Sequence, residues 1–303
     1  MCVLLINLNG EKMLKYRILK NRKDFMFLKL DRNNPKGSRQ KRVIVDLQKR
    51  KLRIGFFKYE KYNCTEACSE KLAYEIAKIL KIKTAQIEFA KDENGTLGII
   101  SYLFSTSENP HTDAKDFFNA NDFDRKKFCT LNSIKAFLDK YGKNEFGSFI
   151  EMMVFDALIG ETDRHEENWG LLKIDRNKYT MSPLYDTGCN LLRQFKDINI
   201  AKPYYNKEKK LEDYAKKSQT CIYKENGIGR YKHFELIEKL IRDYPDITKL
   251  KIENIKRLKN WKIRWILNKL PKGIIEDMHK EYIYKYIIIR KNILLKFLEE
   301  GEN

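Results

Sequence analysis

Asp163-Arg164-His165-Glu166-Glu167-Asn168, followed later by Tyr185-Asp186-Thr187-Gly188, is the stretch on which the fold of this chain turns. Asn168 lies five residues after Asp163, and Asp186 lies eighteen after Asn168. An aspartate that can steer a hydroxyl proton, then an asparagine and a second aspartate that can hold Mg2+ against phosphate oxygens, make up the acidic half of a phosphoryl-transfer site.

Working outward, the residues just before this stretch read as a helix. Ser148-Phe149-Ile150-Glu151 has capping-box form, Ile150, Met153, Val154, Ala157 and Leu158 make an apolar stripe, and Gly160 ends it. The motif then follows on a loop after a buried helix. Residues 169–174 and 179–181 read as a hairpin that leads the chain to Asp186. Nearer the N-terminus, residues 43–47 and 52–58 read as strands, preceded by the turn-forming cluster 33–38. Leu72, Ala73, Ile76, Ala77 and Leu80 share a helix face, and residues 86–90 and 97–104 form a hairpin around Asp92-Glu93-Asn94-Gly95. A polar stretch over 105–124 then gives way to helices, with apolar stripes at Ile237, Leu240, Ile241 and Tyr244 and at Leu258, Trp261 and Trp265. The expected fold class is α+β: a two-lobed, protein-kinase-like fold with a small β-rich N-lobe over residues 1–104 and a larger, mostly helical C-lobe over 105–303. The connector is placed near Tyr102 and Phe104.

Phosphoryl transfer also needs a lysine on the ATP phosphates and a helix carboxylate to hold that lysine. Lys58 closes the strand 52–58, and Glu70 follows twelve residues later, just ahead of the helix stripe; Glu66 and Glu75 compete for the carboxylate role. The expected assignment makes Asp163 the base or hydroxyl-orienting group, Lys58 the ATP lysine, Glu70 its partner, and Asn168 and Asp186 the Mg2+ ligands. His165 is expected to tie the loop by a ring-nitrogen hydrogen bond, with a direct proton role as the alternative. Each residue alone has an ordinary explanation: a surface ion pair at Asp163, a hairpin cap at Asn168, a turn at Asp186. Their order, Lys, Glu, Asp, Asn, Asp, and their strand-to-helix context match one mechanism.

The chain has 303 residues, 42% hydrophobic and 34% charged, enough for a sizeable core. Six cysteines in a chain of this length do not suggest a disulfide framework, and Cys64 with Cys68 lacks two further metal ligands; buried thiols in a reducing compartment are expected. The short apolar stretch at Val3 to Ile6 has no basic residue before it and no cleavage pattern, and no apolar run approaches a membrane span, so a cytoplasmic protein is expected. The net charge of +19 is uneven: +12 over residues 1–60, −3 over 61–200 and +10 over 201–303. Basic flanks attract polyanions such as nucleic acid, but no recognition motif accompanies them, and coding from an AT-rich genome also enriches lysine.

The wording around the motif carries a resemblance. Phe155-Asp156-Ala157-Leu158-Ile159-Gly160-Glu161-Thr162-Asp163-Arg164-His165-Glu166-Glu167-Asn168-Trp169-Gly170, with Ser182-Pro183-Leu184-Tyr185-Asp186-Thr187-Gly188-Cys189, resembles the HipA-like serine/threonine kinases. Upstream, Gly37-Ser38-Arg39-Gln40-Lys41 resembles the family's phosphate loop, Lys58 its ATP lysine, and Glu70 with Ile76-Ala77 its helix signature. The resemblance implies ATP and Mg2+ as cofactors, with Gly37 and Ser38 on the phosphates; the lobe boundary places the backbone of Tyr102 to Phe104 near adenine. It implies a protein Ser/Thr acceptor. Several members are toxins of toxin–antitoxin pairs that phosphorylate an aminoacyl-tRNA synthetase, and some autophosphorylate a phosphate-loop serine, here Ser38. Two departures are visible. The chain is shorter than full-length HipA proteins and is expected to lack their extra N-terminal subdomain, which bears on antitoxin contacts. Glu161 stands where Asn is frequent. Two other functions compete: a small-molecule or lipid-headgroup kinase on the same scaffold, and an idle nucleotide-binding relative.

Overall fold

The computed structural model describes residues 4–6, 12–28, 41–48, 52–61, 63–118 and 123–299. Gly37 and Ser38, and with them most of the phosphate-loop motif, lie outside the described residues.

An antiparallel pair, β1 (Leu4–Ile6) and β2 (Lys12–Leu14), stands apart at the start. A six-stranded sheet is then built from β3 (Ile18–Lys20), β4 (Phe25–Phe27), β5 (Lys41–Asp46), β6 (Arg53–Tyr59), β7 (Ile87–Lys91) and β8 (Leu97–Tyr102), in the spatial order β3-β7-β8-β6-β5-β4. Its pairings are antiparallel apart from β3 with β7. In β6, alternation sends successive side chains to opposite faces. Phe57 packs on one face with Phe25, Phe27 and Tyr59, and the neighbouring Lys58 is carried to the other face, where it is buried.

That other face meets α1 (Glu66–Leu80), which connects β6 to β7. Leu72, Ala73, Ile76, Ala77 and Leu80 are buried, as their spacing predicts. They belong to the same apolar cluster as Phe89 and Ile99 of the sheet and as Phe149, Ile150 and Leu158 of the helical lobe. Both ends of α1 are also tied to that lobe: Thr65 N–H donates to Arg193 O at 2.9 Å, and Asn254 Nδ2 donates to Leu80 O at 2.8 Å.

The helical lobe opens with β9 (His111–Asp113), α2 (Arg125–Phe128), α3 (Leu131–Tyr141) and α4 (Phe146–Ile159). The hairpin after the motif is β10 (Gly170–Asp175) with β11 (Lys178–Met181), and β9 adds a third strand against β10. That strand comes from the stretch that sequence alone marks as merely polar. The remaining elements are α5 (Ile198–Ala201), α6 (Glu208–Lys217), the pair β12 (Gln219–Tyr223) and β13 (Arg230–Lys232), α7 (His233–Asp243), α8 (Pro245–Asn254), α9 (Asn260–Asn268) and α10 (Asp277–Glu299). Among the described residues, no helix is long and apolar enough to cross a membrane.

α4 starts two residues before the expected cap at Ser148, with Glu145 in the N-cap position. It is buried nearly all round, as a central helix must be. Its stop matters for the site. Gly160 takes φ +73° and donates its N–H to Asp156 O at 2.8 Å, turning the chain into the catalytic motif. A Cβ there would press on Tyr286, 3.0 Å from Cε1 and Cζ. Gly160→Ala combines left-handed strain with this overlap, and a loss of about 2–3 kcal/mol in urea unfolding is expected.

Candidate active site

Lys58 reaches from the end of β6 into the space between the lobes. Its Nζ lies 2.6 Å from Glu70 Oε1 and 2.9 Å from Asp186 Oδ1. Glu70 is fully buried in the second turn of α1, so the contact lies in a poorly hydrated setting. Of the competing carboxylates, Glu75 pairs with Lys71 at 3.0 Å. Glu66 takes Arg193 at 2.9 Å and Lys61 at 3.4 Å. The strand-lobe lysine, the α1 carboxylate and the motif aspartate thus meet at one point, although 128 residues of sequence separate Lys58 from Asp186.

Asp186 has φ +51°, a left-handed geometry that Asp tolerates better than most residues. The segment before it is held on both sides. Leu184 pairs through its N–H with Lys83 O and through its carbonyl with Ala85 N–H. The Tyr185 hydroxyl donates to Asp113 Oδ1 at 2.6 Å, and burial beside that carboxylate pushes the phenol well above its usual range. The Tyr185 carbonyl accepts from Arg164 Nη1 at 2.7 Å.

Arg164 is the joint of the site. Its guanidinium turns inward, away from the solvent side where Asp163 stands. It grips Asp156 of α4 in a two-pronged contact, Nε to Oδ2 at 3.0 Å and Nη2 to Oδ1 at 3.1 Å. Nη1 also donates to Asn168 O at 2.8 Å. One buried cation therefore fixes the end of α4, the far end of the 163–168 loop and the residue before Asp186. Both partners are buried; the Asp156 carboxylate keeps the guanidinium charged in spite of desolvation.

Asp163 holds its carboxylate out, 52% exposed, with Cys189 Sγ 3.6 Å from Oδ2 and His165 Nε2 3.9 Å from Oδ1. Its backbone is anchored at both ends: the N–H donates to Glu161 Oε1 at 2.9 Å, and the carbonyl accepts from Asn168 Nδ2 at 2.7 Å. His165 lies inside the loop, its Nδ1 3.2 Å from the Glu167 N–H and its Nε2 3.1 Å from Asn168 Nδ2. A neutral ring accepts at one nitrogen at a time, so these two contacts alternate with the tautomer. With Nδ2 of Asn168 turned into the loop, its carbonyl oxygen faces the other way.

Glu161 is a further member that sequence reading noted only as a departure. Its buried carboxylate accepts from the N–H of Asp163, from the Cys189 N–H at 3.1 Å and from Asn190 Nδ2 at 3.1 Å, tying the 163–168 loop to the chain after Asp186. His233 Nε2 donates to the Glu161 carbonyl at 2.7 Å, and burial holds that imidazole down at about 3, so it is neutral. Burial pushes the Glu161 carboxyl up to about 7 against the pull of Arg164. Between its unfolded value near 4.5 and about 7, the native state binds the extra proton, so this group's contribution to stability falls as pH rises through that window. Other groups titrate there too. The expected result is therefore a difference: the stability of wild type relative to Glu161→Gln declines by about 3 kcal/mol from pH 4.5 to 7.5 in thermal or urea unfolding.

Tyr102 and Phe104 are placed differently from each other. The Tyr102 side chain is engaged on the sheet, its hydroxyl 3.2 Å from Asp46 Oδ2 and its ring 3.6 Å beneath the Arg53 guanidinium, and its N–H donates to Gln86 O. The Leu103 N–H donates to Ile54 O. Phe104 instead joins His111 and Tyr185 in an aromatic group just below Asp186, with ring centroids 5.2 and 5.5 Å away. A cavity of about 510 Å3 is lined by Lys61, Thr162, Cys189, Arg193 and Tyr214 among others, and two of these, Thr162 and Cys189, neighbour Asp163.

These elements make a mixed α+β, kinase-like fold, and comparison with known proteins agrees. A model of the HipA-like C-terminal domain matches residues 13–246, and the chain belongs to that family. It is similar to the serine/threonine-protein kinase CtkA of Helicobacter pylori strain J99, with 23% identity over 236 residues, 73% of this chain. The aligned part is 58% of that relative's length. The crystal structure of the Helicobacter pylori proinflammatory kinase CtkA superposes with a TM-score of 0.77 at 18% identity, covering 94% of this chain and 99% of that one. A Shewanella oneidensis MR-1 complex of HipA, HipB and operator DNA aligns at a TM-score of 0.47, too slight a likeness to bear on partners.

Proposed function

We propose that the protein is a HipA-like serine/threonine kinase that moves the γ-phosphoryl group of ATP to a Ser or Thr hydroxyl of a protein, with residues 1–104 and 105–303 as its two lobes. The observation that carries this reading is the meeting of Lys58 with both Glu70 and Asp186. Lys58, held by Glu70, would take the α- and β-phosphates. Asp163, exposed beside Cys189, would orient the acceptor hydroxyl and receive its proton, with His165 keeping the loop in shape.

The donor set suits Mg2+. Among the described residues there is no cluster of three His, Cys, Asp or Glu; one carboxylate, Asp186, and one carboxamide oxygen, Asn168, are what a hard cation that retains water and phosphate ligands needs. Bound there, Mg2+ would neutralise charge on the phosphates. Gly37 and Ser38 are proposed to cradle them.

The test is transfer from γ-labelled ATP with Mg2+. Wild type should label a protein acceptor or itself, and Asp163→Ala should not. If wild type neither transfers phosphate nor binds ATP in a Mg2+-dependent way, the kinase reading fails; label found in a metabolite and in no protein would change the acceptor class. Phosphopeptide mapping after incubation reads Ser38 as an autophosphorylation site. Growth arrest on induced expression, lost in Asp163→Ala, reads a toxin role. Phosphoproteomics of the arrested cells then names the substrate, an aminoacyl-tRNA synthetase or another protein, and co-purification reads an antitoxin.

A further inference from the structure

Sequence periodicity places Leu258, Trp261 and Trp265 on one buried stripe. The structure corrects this. Leu258 is buried, and α9 turns Ile263, Ile266 and Leu267 into the core, whereas Trp261 and Trp265 face outward, 64% and 45% exposed. The third tryptophan, Trp169, is buried. Spaced four residues apart, the two exposed indoles stand on one face of the helix.

Their surroundings are strongly cationic. Residues 255–275 contain seven Lys and Arg and no Asp or Glu. Two of the seven are matched from outside, Lys256 by Glu253 at 2.8 Å and Arg264 by Glu281 at 3.0 Å. Arg257, Lys259 and Lys272 are exposed. Lys269 lies 4.1 Å above the Trp265 ring and 4.7 Å from that of Tyr16; burial, with Lys78 and Lys71 nearby, holds its ammonium below the usual range. The Lys15 ammonium donates to Asn268 O at the end of the same helix, with Lys272 and the Lys280–Asp277 pair (2.7 Å) close by.

We infer that the Trp261–Trp265 face of α9 is a peripheral docking surface for an anionic lipid bilayer. Indole rings settle at the headgroup level with the ring in apolar surroundings and the N–H wet, while long basic side chains reach lipid phosphates around them. The opposite face of α9 is already packed in the core through Ile263, Ile266 and Leu267, which leaves the two indoles projecting from a held helix. A nucleic-acid strand would instead need open ring faces along a groove, and Lys269 covers one face of Trp265. This docking does not depend on the kinase reading.

Full-length protein is mixed with phosphatidylcholine vesicles with or without about 30 mol% phosphatidylserine. Wild type should sediment with the anionic vesicles and not with the neutral ones, with a blue shift of tryptophan emission and release at about 0.5 M salt. Trp261→Ala/Trp265→Ala should reduce partitioning at least about tenfold, and Lys259→Gln/Lys262→Gln about threefold or more. All these side chains are at the surface, and melting curves verify that the variants fold. The proposal is overturned if anionic vesicles leave wild type in solution, or if the double tryptophan variant sediments as wild type does. It is equally overturned if emission responds to oligo-dT but not to vesicles, which would make the face a single-strand platform. A concentration-dependent dimer abolished by Trp261→Ala, without vesicle binding, would assign it to a second copy of the chain.

Discussion

Asp186→Asn is expected to lower phosphoryl transfer by about a thousandfold or more while leaving the fold within about 1 kcal/mol of wild type. The substitution is chosen for its backbone. At φ +51° an Asn is tolerated nearly as well as Asp, whereas Ala would add left-handed strain and confuse stability with chemistry. What Asn removes is the charge, which holds Lys58 at 2.9 Å and, in the proposed kinase, would supply the negative ligand for Mg2+ beside Asn168. A preorganised charge at a phosphoryl-transfer centre contributes several kcal/mol to the transition state, because nothing needs to reorient as the reaction proceeds. Steady-state rates with ATP, beside melting curves, check this. A variant retaining more than about a tenth of wild-type kcat/KM would remove Asp186 from the proposed role.

Arg164→Met is expected to cost about 3–5 kcal/mol of stability, a larger structural loss than any of the catalytic substitutions. Methionine fills much of the volume but leaves the Asp156 carboxylate in the core without the guanidinium, and leaves the Asn168 and Tyr185 carbonyls without its donor. Adding Asp156→Leu should restore most of the stability, since replacing a whole buried ion pair by apolar groups is often close to neutral. Activity should not return with it. The two carbonyls that Arg164 holds together belong to the loops carrying Asn168 and Asp186, and no apolar pair can register them. Urea unfolding of the two single variants and the double, with rates measured on each, separates the two effects; full recovery of kcat in the double variant would show that the loops align without Arg164.

Much of the site geometry could be read from residue order, and the reasons differ by residue. The meeting of Lys58 with Glu70 was legible because a strand end and the first turns of the next helix are local geometry. Asp186 could be placed near them only because the motif dictated it; no periodicity brings together residues so distant in sequence. Arg164 received no role from the sequence, although the signal was present: Asp156 is a carboxylate inside an apolar helix run, which requires a buried cation, and the adjoining motif contains one. Glu161 had no such signal, because its partners are backbone N–H groups and an amide that only the folded chain assembles. The third strand β9 escaped notice because a three-residue strand has too short a pattern to stand out. Trp261 and Trp265 were misassigned because a helical stripe shows which residues share a face, not which face the core receives. Ile263, Ile266 and Leu267 settle that, and they form the competing stripe of the same helix.

The anchoring of α1 limits how such an enzyme can be turned off. Where a helix bearing the lysine's carboxylate is lightly attached, it can swing as a lever and break the ion pair reversibly. Here Leu72, Ile76, Ala77 and Leu80 are part of the central apolar cluster, and both ends of the helix are hydrogen-bonded to the opposite lobe. Moving Glu70 away from Lys58 would require opening that cluster, at a cost comparable with unfolding. The amides of α1 should accordingly exchange with solvent as slowly as those of α4. In the proposed kinase, inhibition would fall to elements other than α1, and the lysine–carboxylate pair would behave as a fixed girder of the fold.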